Sequence, residues 1–272
     1  MSKDTRLLLV GGGKMGSAML AGWLARGMAP DQIVVVEPGA AAAALRARYG
    51  VAIEAGADAV DPSFCPDTVV LAVKPQVMGE AAPPYRRYAG PDTLFLSIAA
   101  GKTIASFRPL LGEAAVIVRA MPNTPAAVGR GMSVCCAGRG VTAAQRALAT
   151  ALLEAVGEVD WVEEEGLIDA VTAVSGGGPA YVFLLAECLA AAGVAAGLPA
   201  ALAERIARAT VAGSGELLRQ SAEPPAVLRQ NVTSPGGTTL EALKILMASD
   251  GLQPLLDRAI AAATRRSREL AG

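Results

Sequence analysis

The 272-residue sequence predicts an α/β fold in two parts, a sheet domain followed by a domain made only of helices. In the first part, short apolar and β-branched runs alternate with segments of helical spacing, as in a parallel, doubly wound sheet. After Trp161 the strand-like runs end, and helical segments are separated by glycine and proline. We therefore predict two domains, residues 1–161 and residues 162–272.

The individual elements follow from the same patterns. Short apolar runs predict strands at residues 6–10, 33–36, 115–118 and 132–136. Uninterrupted β-branched and apolar runs predict strands that are covered on both faces at residues 68–73 and 93–98. Helical spacing over residues 14–26 and an alanine-rich stretch over residues 40–49 predict the first two helices. Breaks at residues 176–179, 197–199, 224–225 and 234–237 divide the second domain into several helices.

Charge and cysteine content narrow the range of partners. The net charge is −1, with 24 basic and 25 acidic residues and no long run of one sign, so nothing favours nucleic acid or an anionic membrane. The four cysteines form no C-x-x-C pair and histidine is absent, so we predict no metal site. The chain reaches a glycine-rich turn too early for a signal peptide, and we expect a cytoplasmic protein.

The apolar helices of the second domain predict self-association. Residues 181–203 are the best candidate for a membrane span, but Glu187 lies near their middle and much of their apolar content is alanine. We therefore expect a helix buried between other helices, and no membrane partner. The apolar residues after Gly166 exceed what one small helical domain can cover, which predicts a dimerisation domain and a homodimer.

A glycine-rich turn follows the first predicted strand. Gly11, Gly13 and Gly16 match the pattern G-x-G-x-x-G between a strand and a helix, which is typical of a Rossmann-type dinucleotide site. The first glycine permits the tight turn, the second the approach of the pyrophosphate, and the third the close packing of helix and strand. The alternative is a glycine turn with a structural role only.

Further candidate cofactor residues lie at the ends of later strands. Glu37, at the end of the second strand, is placed to bind the adenosine ribose and to repel a 2′-phosphate, which favours NAD(H). The alternative is a solvated residue at a strand end. Lys74 and Pro75 follow one later strand, and Ala99 and Ala100 follow the next, at the carboxyl edge where such sheets bind ligands.

The absence of histidine also bears on the chemistry. Reduction of a ketone produces an alkoxide that requires an acid, and beyond Thr103 the only lysine is Lys244. No tyrosine is followed by a lysine four residues later. A protonated C=N bond accepts hydride and becomes a neutral amine without forming an oxyanion. The sequence therefore favours imine reduction over ketone reduction.

Residues 234–239, Ser-Pro-Gly-Gly-Thr-Thr, precede an apolar helical segment near the end of the chain. A glycine pair bordered by hydroxyl residues presents free backbone N–H groups at a helix start, which suits a carboxylate. The alternative is an N-capping turn with Thr238 or Thr239 as the cap. The pattern alone leaves both open.

Six stretches of the sequence together resemble the pyrroline-5-carboxylate reductase family, which catalyses the last step of proline biosynthesis. They are residues 10–16, 71–76 (LAVKPQ), 97–101 (SIAAG), 121–125 (MPNTP), 169–181 (DAVTAVSGGGPAY) and 232–239 (VTSPGGTT). The resemblance covers essentially the whole chain. It implies NADP(H) or NAD(H) as cofactor, reduction of 1-pyrroline-5-carboxylate to L-proline, and a homodimer, with further assembly into a decamer left open.

The resemblance also implies roles for individual residues. Thr239 matches a catalytic threonine whose hydroxyl contacts the substrate nitrogen, and Glu165 matches an acidic residue near the substrate. The loop that holds the substrate carboxylate contributes Ser234, Gly236, Gly237 and Thr238. In addition to Gly11, Gly13, Gly16 and Glu37, the resemblance implies further residues that contact the cofactor. They are Lys14, Met15, Ala72, Val73, Lys74, Pro75, Ala99, Ala100, Met121, Asn123 and Asn231, of which Asn231 lies near the nicotinamide.

Two positions depart from the family pattern, and two other functions remain as alternatives. The family usually has a serine at position 177, where this chain has glycine, and an asparagine before residue 71 is missing. A 3-hydroxyacid dehydrogenase of the 6-phosphogluconate type would use a lysine early in a long helix, but residues 178–202 contain none. A dinucleotide-sensing protein without turnover is the other alternative, and the intact residues 234–239 argue against it.

Overall fold

The computed structural model describes residues 5–271 and contains an eight-stranded sheet in the first part of the chain. In chain order the strands are β1 (Leu7–Val10), β2 (Ile33–Val36), β3 (Ala52–Glu54), β4 (Thr68–Leu71), β5 (Leu94–Ser97), β6 (Val116–Met121), β7 (Gly131–Ala137) and β8 (Gly157–Val162). All six predicted strands are present, and the predicted α/β class is confirmed.

The sheet has the strand order β3-β2-β1-β4-β5-β6-β7-β8. The order reverses between β1 and β4, which opens a crevice at the carboxyl ends of these two strands. Neighbouring strands are parallel except for β6 and β7, which are antiparallel. The expectation of a parallel sheet is therefore wrong at this pair, because a short connection at residues 122–130 returns the chain without a crossover helix.

Two strands escaped prediction, and both lie at an edge of the sheet. β3 has only three residues, and β8 alternates polar and apolar side chains in the order Gly-Glu-Val-Asp-Trp-Val. An edge strand has one neighbour and a partly exposed face, so it lacks the uninterrupted apolar run that marks a central strand. Neither β3 nor β8 therefore has the sequence pattern that predicts a central strand.

Eleven helices accompany the sheet within the described residues. They are α1 (Lys14–Ala25), α2 (Ala41–Tyr49), α3 (Met78–Ala81), α4 (Ile104–Leu111), α5 (Ala143–Glu154), α6 (Leu167–Val171), α7 (Gly178–Ala195), α8 (Ala200–Gln220), α9 (Pro225–Asn231), α10 (Thr238–Leu246) and α11 (Leu252–Ala271). A π-helical segment, Thr172–Gly176, joins α6 to α7. Short 3₁₀ segments are Pro30–Gln32, Ala57–Ala59, Pro75–Val77, Pro83–Tyr88 and Thr124–Val128.

Helices cover the sheet on both faces. Leu9 of β1 belongs to one buried cluster together with Trp23 of α1, and its neighbour Leu8 belongs to a second cluster together with Phe107 of α4. All four side chains are fully buried. Burial of a large apolar side chain contributes about 1.5–3 kcal/mol, so these two clusters hold the strand ends in fixed positions.

The chain divides into two compact units. One comprises Met1–Gly176 together with Ala263–Gly272, and the other comprises Gly177–Ala262 and contains only helices. The helical unit begins later than residue 162 because α6 packs on the sheet, where Ile168 is buried with Val134 and Cys136. The assignment of residues 1–161 and 162–272 as functional domains stays a prediction.

The helical unit exposes a large apolar surface. No residue of α7 is buried, and its exposed apolar side chains are Val182, Phe183, Leu184, Leu185, Leu189 and Val194. The expectation that this helix is buried between other helices is wrong for the single chain, since α7 packs mainly against α8. By length and composition alone, Leu167–Ala195 also meets the criterion for a membrane-spanning helix, with a mean hydropathy of 1.6.

Candidate active site

The turn after β1 is closed by backbone contacts that leave no room for side chains. Gly11 has a φ of +102°, and a Cβ there would lie 2.9 Å from the backbone of Ala72. A Cβ on Gly16 would collide with the carbonyl oxygen of Gly11. Both glycines are therefore required for the turn and for the contact between α1 and the strands.

Gly13 is free of such contacts, since nothing lies within 4 Å of a Cβ built there. It is the N-cap residue of α1, and no side chain caps this helix. The first N–H groups of a helix, here those of Lys14, Met15 and Gly16, have no intrahelical acceptor. Together with the helix dipole they form a seat for an anionic group at an exposed position.

The carboxylate of Glu37 is bound to this turn. One oxygen, Oε2, accepts a hydrogen bond from the backbone N–H of Gly12 at 2.8 Å, and Oε1 accepts one from Gly39 at 2.8 Å. The backbone N–H of Glu37 donates to the carbonyl of Glu54 on β3 at 2.9 Å. Glu37 is thus held at the end of β2, unlike the freely solvated residue of the alternative interpretation.

Neighbouring strands bring their carboxyl ends to the same edge of the sheet. Val10, Leu71 and Ser97 lie side by side in register on β1, β4 and β5. Beyond these positions the chain carries the predicted cofactor residues Gly11, Ala72, Val73, Lys74, Pro75, Ala99 and Ala100. Lys74 and Ala100 are exposed there, while Ala99 is buried. The structure thus gathers this part of the predicted set where the strand order reverses.

Asn123 uses its side-chain amide inside the protein. Its Oδ1 accepts from the backbone N–H of Met132 at 2.9 Å, and its Nδ2 donates to the hydroxyl and the carbonyl oxygens of Ser175 at 3.2 and 3.3 Å. Met121, at the carboxyl end of β6, lies against Gly176, where an added Cβ would approach its Cε to 2.5 Å. Asn123 therefore joins the β6–β7 connection to the π-helical segment.

Glu165 forms an ion pair with the buried Arg119, a contact that the sequence did not reveal. Its Oε1 accepts from Nη1 of Arg119 at 2.9 Å and from the backbone N–H of Ile104 at 2.7 Å. The side chain of Arg119 is only 3% exposed, and that of Glu165 is 28% exposed. Arg119 interrupts the apolar run of β6, and a charged residue inside such a run is the one signal that would have identified it.

The predicted site residues of the helical unit lie close to the start of α10: Asn231 as a cofactor residue, and residues 234 and 236–239 as substrate residues. Asn231 ends α9, and its Nδ2 donates to Oε2 of Glu223 at 3.2 Å. Gly236 has a φ of +70°, and the N–H of Gly237 donates to the carbonyl of Ser234 at 3.0 Å. The left-handed Gly236 and the bond between Ser234 and Gly237 form a compact turn immediately before the helix.

The two threonines of this loop are helical residues and not caps. Gly237 is the N-cap of α10, with no side-chain hydrogen bond, and Thr238 and Thr239 occupy the first turn. The capping alternative is therefore wrong. Both threonines are exposed, and first-turn N–H groups have no intrahelical acceptor, so this helix start can bind a carboxylate. The loop belongs to the helical unit and the glycine-rich turn to the sheet unit.

The cysteines of β7 are unsuited to nucleophilic catalysis. Burial raises the pKa of the Cys135 thiol to about 12. Burial also raises the pKa of Cys136, and the nearby carboxylate of Glu165 adds to that effect. Both thiols stay protonated at neutral pH, and thiols react as thiolates. Among residues 5–271, no three His, Cys, Asp or Glu side chains form a group able to hold a metal ion.

Two family models match different parts of the chain. Residues 165–270 match the family described as pyrroline-5-carboxylate reductase dimerisation. Residues 6–101 match the family described as NADP oxidoreductase, coenzyme F420-dependent. The first match covers the whole helical unit, and the second covers the glycine-rich turn and the strand ends described above.

Relatives match over nearly the full length. The pyrroline-5-carboxylate reductase of Pseudomonas aeruginosa is 41% identical over 98% of this chain and 97% of its own. That of Synechocystis sp. is 42% identical over 97% of this chain and 98% of its own. A solved pyrroline-5-carboxylate reductase from Coxiella burnetii is 34% identical, with a TM-score of 0.91 over 99% of both chains. The Plasmodium falciparum enzyme, solved with NADP bound, is 27% identical, with a TM-score of 0.83 over 100% of both.

Proposed function

Because this chain belongs to the pyrroline-5-carboxylate reductase family, we infer that the edge of its sheet holds the cofactor and that the loop before α10 holds the substrate. The chain is an oxidoreductase that uses NAD(P)H and reduces 1-pyrroline-5-carboxylate to proline, a step of proline biosynthesis. The assignment of individual residues to these roles is our proposal.

The pyrophosphate of the cofactor binds at Gly13 and the start of α1. The support for this placement is the open space beside Gly13 and the uncapped first turn of the helix. The residues we place around the cofactor are Gly11, Gly13, Lys14, Met15, Gly16, Glu37, Ala72, Val73, Lys74, Pro75, Ala99, Ala100, Met121 and Asn123. We place Asn231 near the nicotinamide.

NADH is used at least as well as NADPH. Glu37 supports this preference, because its carboxylate is held beside Gly12 at the strand end where the adenosine ribose binds in such folds. A 2′-phosphate there would meet a fixed negative charge. The Plasmodium falciparum enzyme was solved with NADP bound, so the preference proposed here is for this chain and its Glu37.

The substrate carboxylate binds at the start of α10, and the hydroxyl of Thr239 orients the imine nitrogen. We place Ser234, Gly236, Gly237 and Thr238 around the carboxylate, with Glu165 nearby. The support is the exposed and uncapped first turn of α10, because a helix N-terminus favours an anion.

The reduction needs little acid–base assistance from the protein. Bound NAD(P)H supplies a hydride to the imine carbon. The electron pair of the C=N bond moves to nitrogen, which already carries its proton, and a neutral amine results. Thr239 therefore acts by hydrogen bonding and orientation: its hydroxyl accepts from the protonated imine nitrogen, and it donates to that nitrogen where the imine is unprotonated at higher pH. This account fits a chain without histidine.

The helical region forms an oligomer, since it matches the dimerisation family over residues 165–270. We propose a homodimer in which the exposed apolar residues of α7 are covered by the partner, with a decamer as a further level of assembly. In this arrangement each active site combines the sheet unit of one subunit with residues 234–239 of the other. The apolar character of Leu167–Ala195 then reflects a subunit interface and no membrane partner.

The two predicted domains have different roles. Residues 1–161 bind the dinucleotide, and residues 162–272 carry dimerisation and substrate binding. The enzyme acts on a small molecule in the cytoplasm, without nucleic acid. The near-neutral net charge of −1 supports the absence of a polyanionic partner.

The observation that carries the residue assignment is the exposed, uncapped start of α10 with Thr239 in its first turn. The direct test is cofactor oxidation with 1-pyrroline-5-carboxylate, with proline measured as the product. A dinucleotide-sensing protein would bind the cofactor without turnover. A 3-hydroxyacid dehydrogenase would reduce NAD(P)⁺ with 3-hydroxy acids, and we expect no such activity.

A further inference from the structure

Arg119 carries a charge in the interior of the sheet. It lies on β6 in register with Ser97 of β5 and Cys136 of β7, and its side chain is 3% exposed. Nη1 donates to Glu165, while Nη2 is buried with no hydrogen-bond partner among the described residues. An apolar residue of similar size would be less costly at such a position. The fold alone therefore gives no reason for an arginine here.

The partner of Arg119 is attached to the start of α4. Oε1 of Glu165 accepts the backbone N–H of Ile104, the first residue of this helix, at 2.7 Å. A carboxylate at this place satisfies a first-turn donor and interacts favourably with the helix dipole. Glu165 thus binds a buried cation and a helix start with the same oxygen.

The segment before α4 is the β5–α4 loop, residues 98–103. It leaves the carboxyl end of β5 and contains Ala99 and Ala100, which we have placed at the cofactor. Gly101, with a φ of +69°, lies against α11, where an added Cβ would approach Cβ of Leu270 to 3.3 Å. The loop is therefore held by β5 at one end, by Glu165 at the other and by α11 between them.

We propose that Arg119 and Glu165 are positioning residues for the cofactor: Arg119 fixes the carboxylate of Glu165, and Glu165 fixes the start of α4 and with it the β5–α4 loop. This inference rests on the proposed placement of Ala99 and Ala100 at the cofactor. It gives Glu165 a role exerted through the loop, in addition to the place near the substrate proposed above. Neither side chain touches the reacting atoms in this role.

The test compares cofactor Kd, KM for 1-pyrroline-5-carboxylate and thermal stability in Arg119→Met, Glu165→Gln and the double variant. Glu165→Gln alone leaves a buried arginine without its counter-charge and is expected to lower the Tm. The double variant removes both charges and regains much of that stability. The cofactor Kd should stay raised by about tenfold in all three, which is the effect of losing a charge-assisted contact worth about 1.4 kcal/mol.

A matched control is the exposed ion pair between Arg146 and Glu163, in which Nη2 of Arg146 lies 2.9 Å from Oε1 of Glu163. Glu163 is two positions before Glu165 in the chain. The Arg146→Met and Glu163→Gln variants should leave the cofactor Kd unchanged. A double variant Arg119→Met/Glu165→Gln with wild-type cofactor Kd would overturn the proposal, whatever its Tm. The proposal would also be overturned if Glu165→Gln raised the KM for the imine while the cofactor Kd stayed unchanged in every variant.

Gly13→Ala separates this outcome from failure of the proposed cofactor site. If Gly13→Ala weakens cofactor binding and the Arg119–Glu165 variants do not, only the positioning role is lost. If Gly13→Ala has no effect either, the placement of the cofactor itself is wrong.

Discussion

The carboxylate of Glu37 closes one side of the glycine-rich turn, because its Oε2 accepts the backbone N–H of Gly12 at 2.8 Å. A second bond, from Gly39 to Oε1, holds the same side chain from the other side. A fixed negative charge therefore stands at the end of β2.

Replacement of Glu37 by serine should move the cofactor preference toward NADPH. The wild-type enzyme is expected to have a kcat/KM for NADH at least equal to that for NADPH. In Glu37→Ser the NADPH/NADH ratio of kcat/KM should rise by about tenfold or more, since repulsion worth about 1.4 kcal/mol is removed. Glu54→Gln, at the end of neighbouring β3, is the matched control and should leave the ratio unchanged. A wild type that strongly prefers NADPH, with no change in Glu37→Ser, would reduce Glu37 to a structural residue.

Gly13→Ala should weaken cofactor binding at little cost in stability. Nothing lies within 4 Å of the added methyl group, so the free energy of unfolding should fall by no more than about 1 kcal/mol, the cost of a poorer N-cap on α1. The same methyl group occupies the space that we assign to the pyrophosphate, and the Kd for NADH should rise by about tenfold or more. Gly79→Ala, which also adds a methyl group to open space, serves as the control. Equal Kd values for Gly13→Ala and wild type would place the pyrophosphate elsewhere.

The four cysteines should report assembly through their reactivity at pH 8. Cys65 and Cys188 are exposed in the single chain, while Cys135 and Cys136 are buried. Cys188 lies on α7, so the proposed dimer should protect it from alkylation while Cys65 reacts freely. Mass spectrometry identifies which cysteines have been alkylated. Light scattering on the same sample measures the mass of the protein and shows whether it is a dimer. Rapid labelling of Cys188 in a dimer of full activity would exclude α7 from the interface.

Stability should fall at alkaline pH in a manner that depends on Cys135. Burial raises the pKa of this thiol from 9.0 to about 12 in the folded state. The stabilising effect of the retained proton is complete below pH 9 and is lost as the pH rises from 9 toward 12, because the unfolded chain releases its proton first. Urea unfolding between pH 8 and pH 11 should therefore show a shallower decline for Cys135→Ala than for wild type. Parallel declines for the two proteins would assign the alkaline sensitivity to other groups, such as the buried Tyr85, whose pKa burial also raises to about 12.

The sequence predicted those features of the fold and site that depend on local patterns. The central strands were recognisable because both faces are buried, and the glycine-rich turn because Gly11 and Gly16 admit no side chain. β8 was missed because an edge strand has a mixed pattern. The role of Arg119 was missed because its partner is 46 positions away, and no local pattern specifies such a contact. The exposed apolar side chains of α7 agree with the expectation that the second domain carries more apolar surface than it can cover by itself.

The most direct test of the proposed mechanism is the pH dependence of kcat for wild type, Thr239→Val and Thr239→Ser. We expect Thr239→Val to lower kcat by roughly ten- to a thousandfold, with a smaller loss at low pH, where more of the imine is already protonated in solution. Thr239→Ser keeps the hydroxyl and should recover much of the rate, and cofactor Kd should be the same in all three because the glycine-rich turn is untouched. A Thr239→Val enzyme with wild-type kcat at every pH would contradict the account and show that the hydroxyl takes no part in orienting the imine.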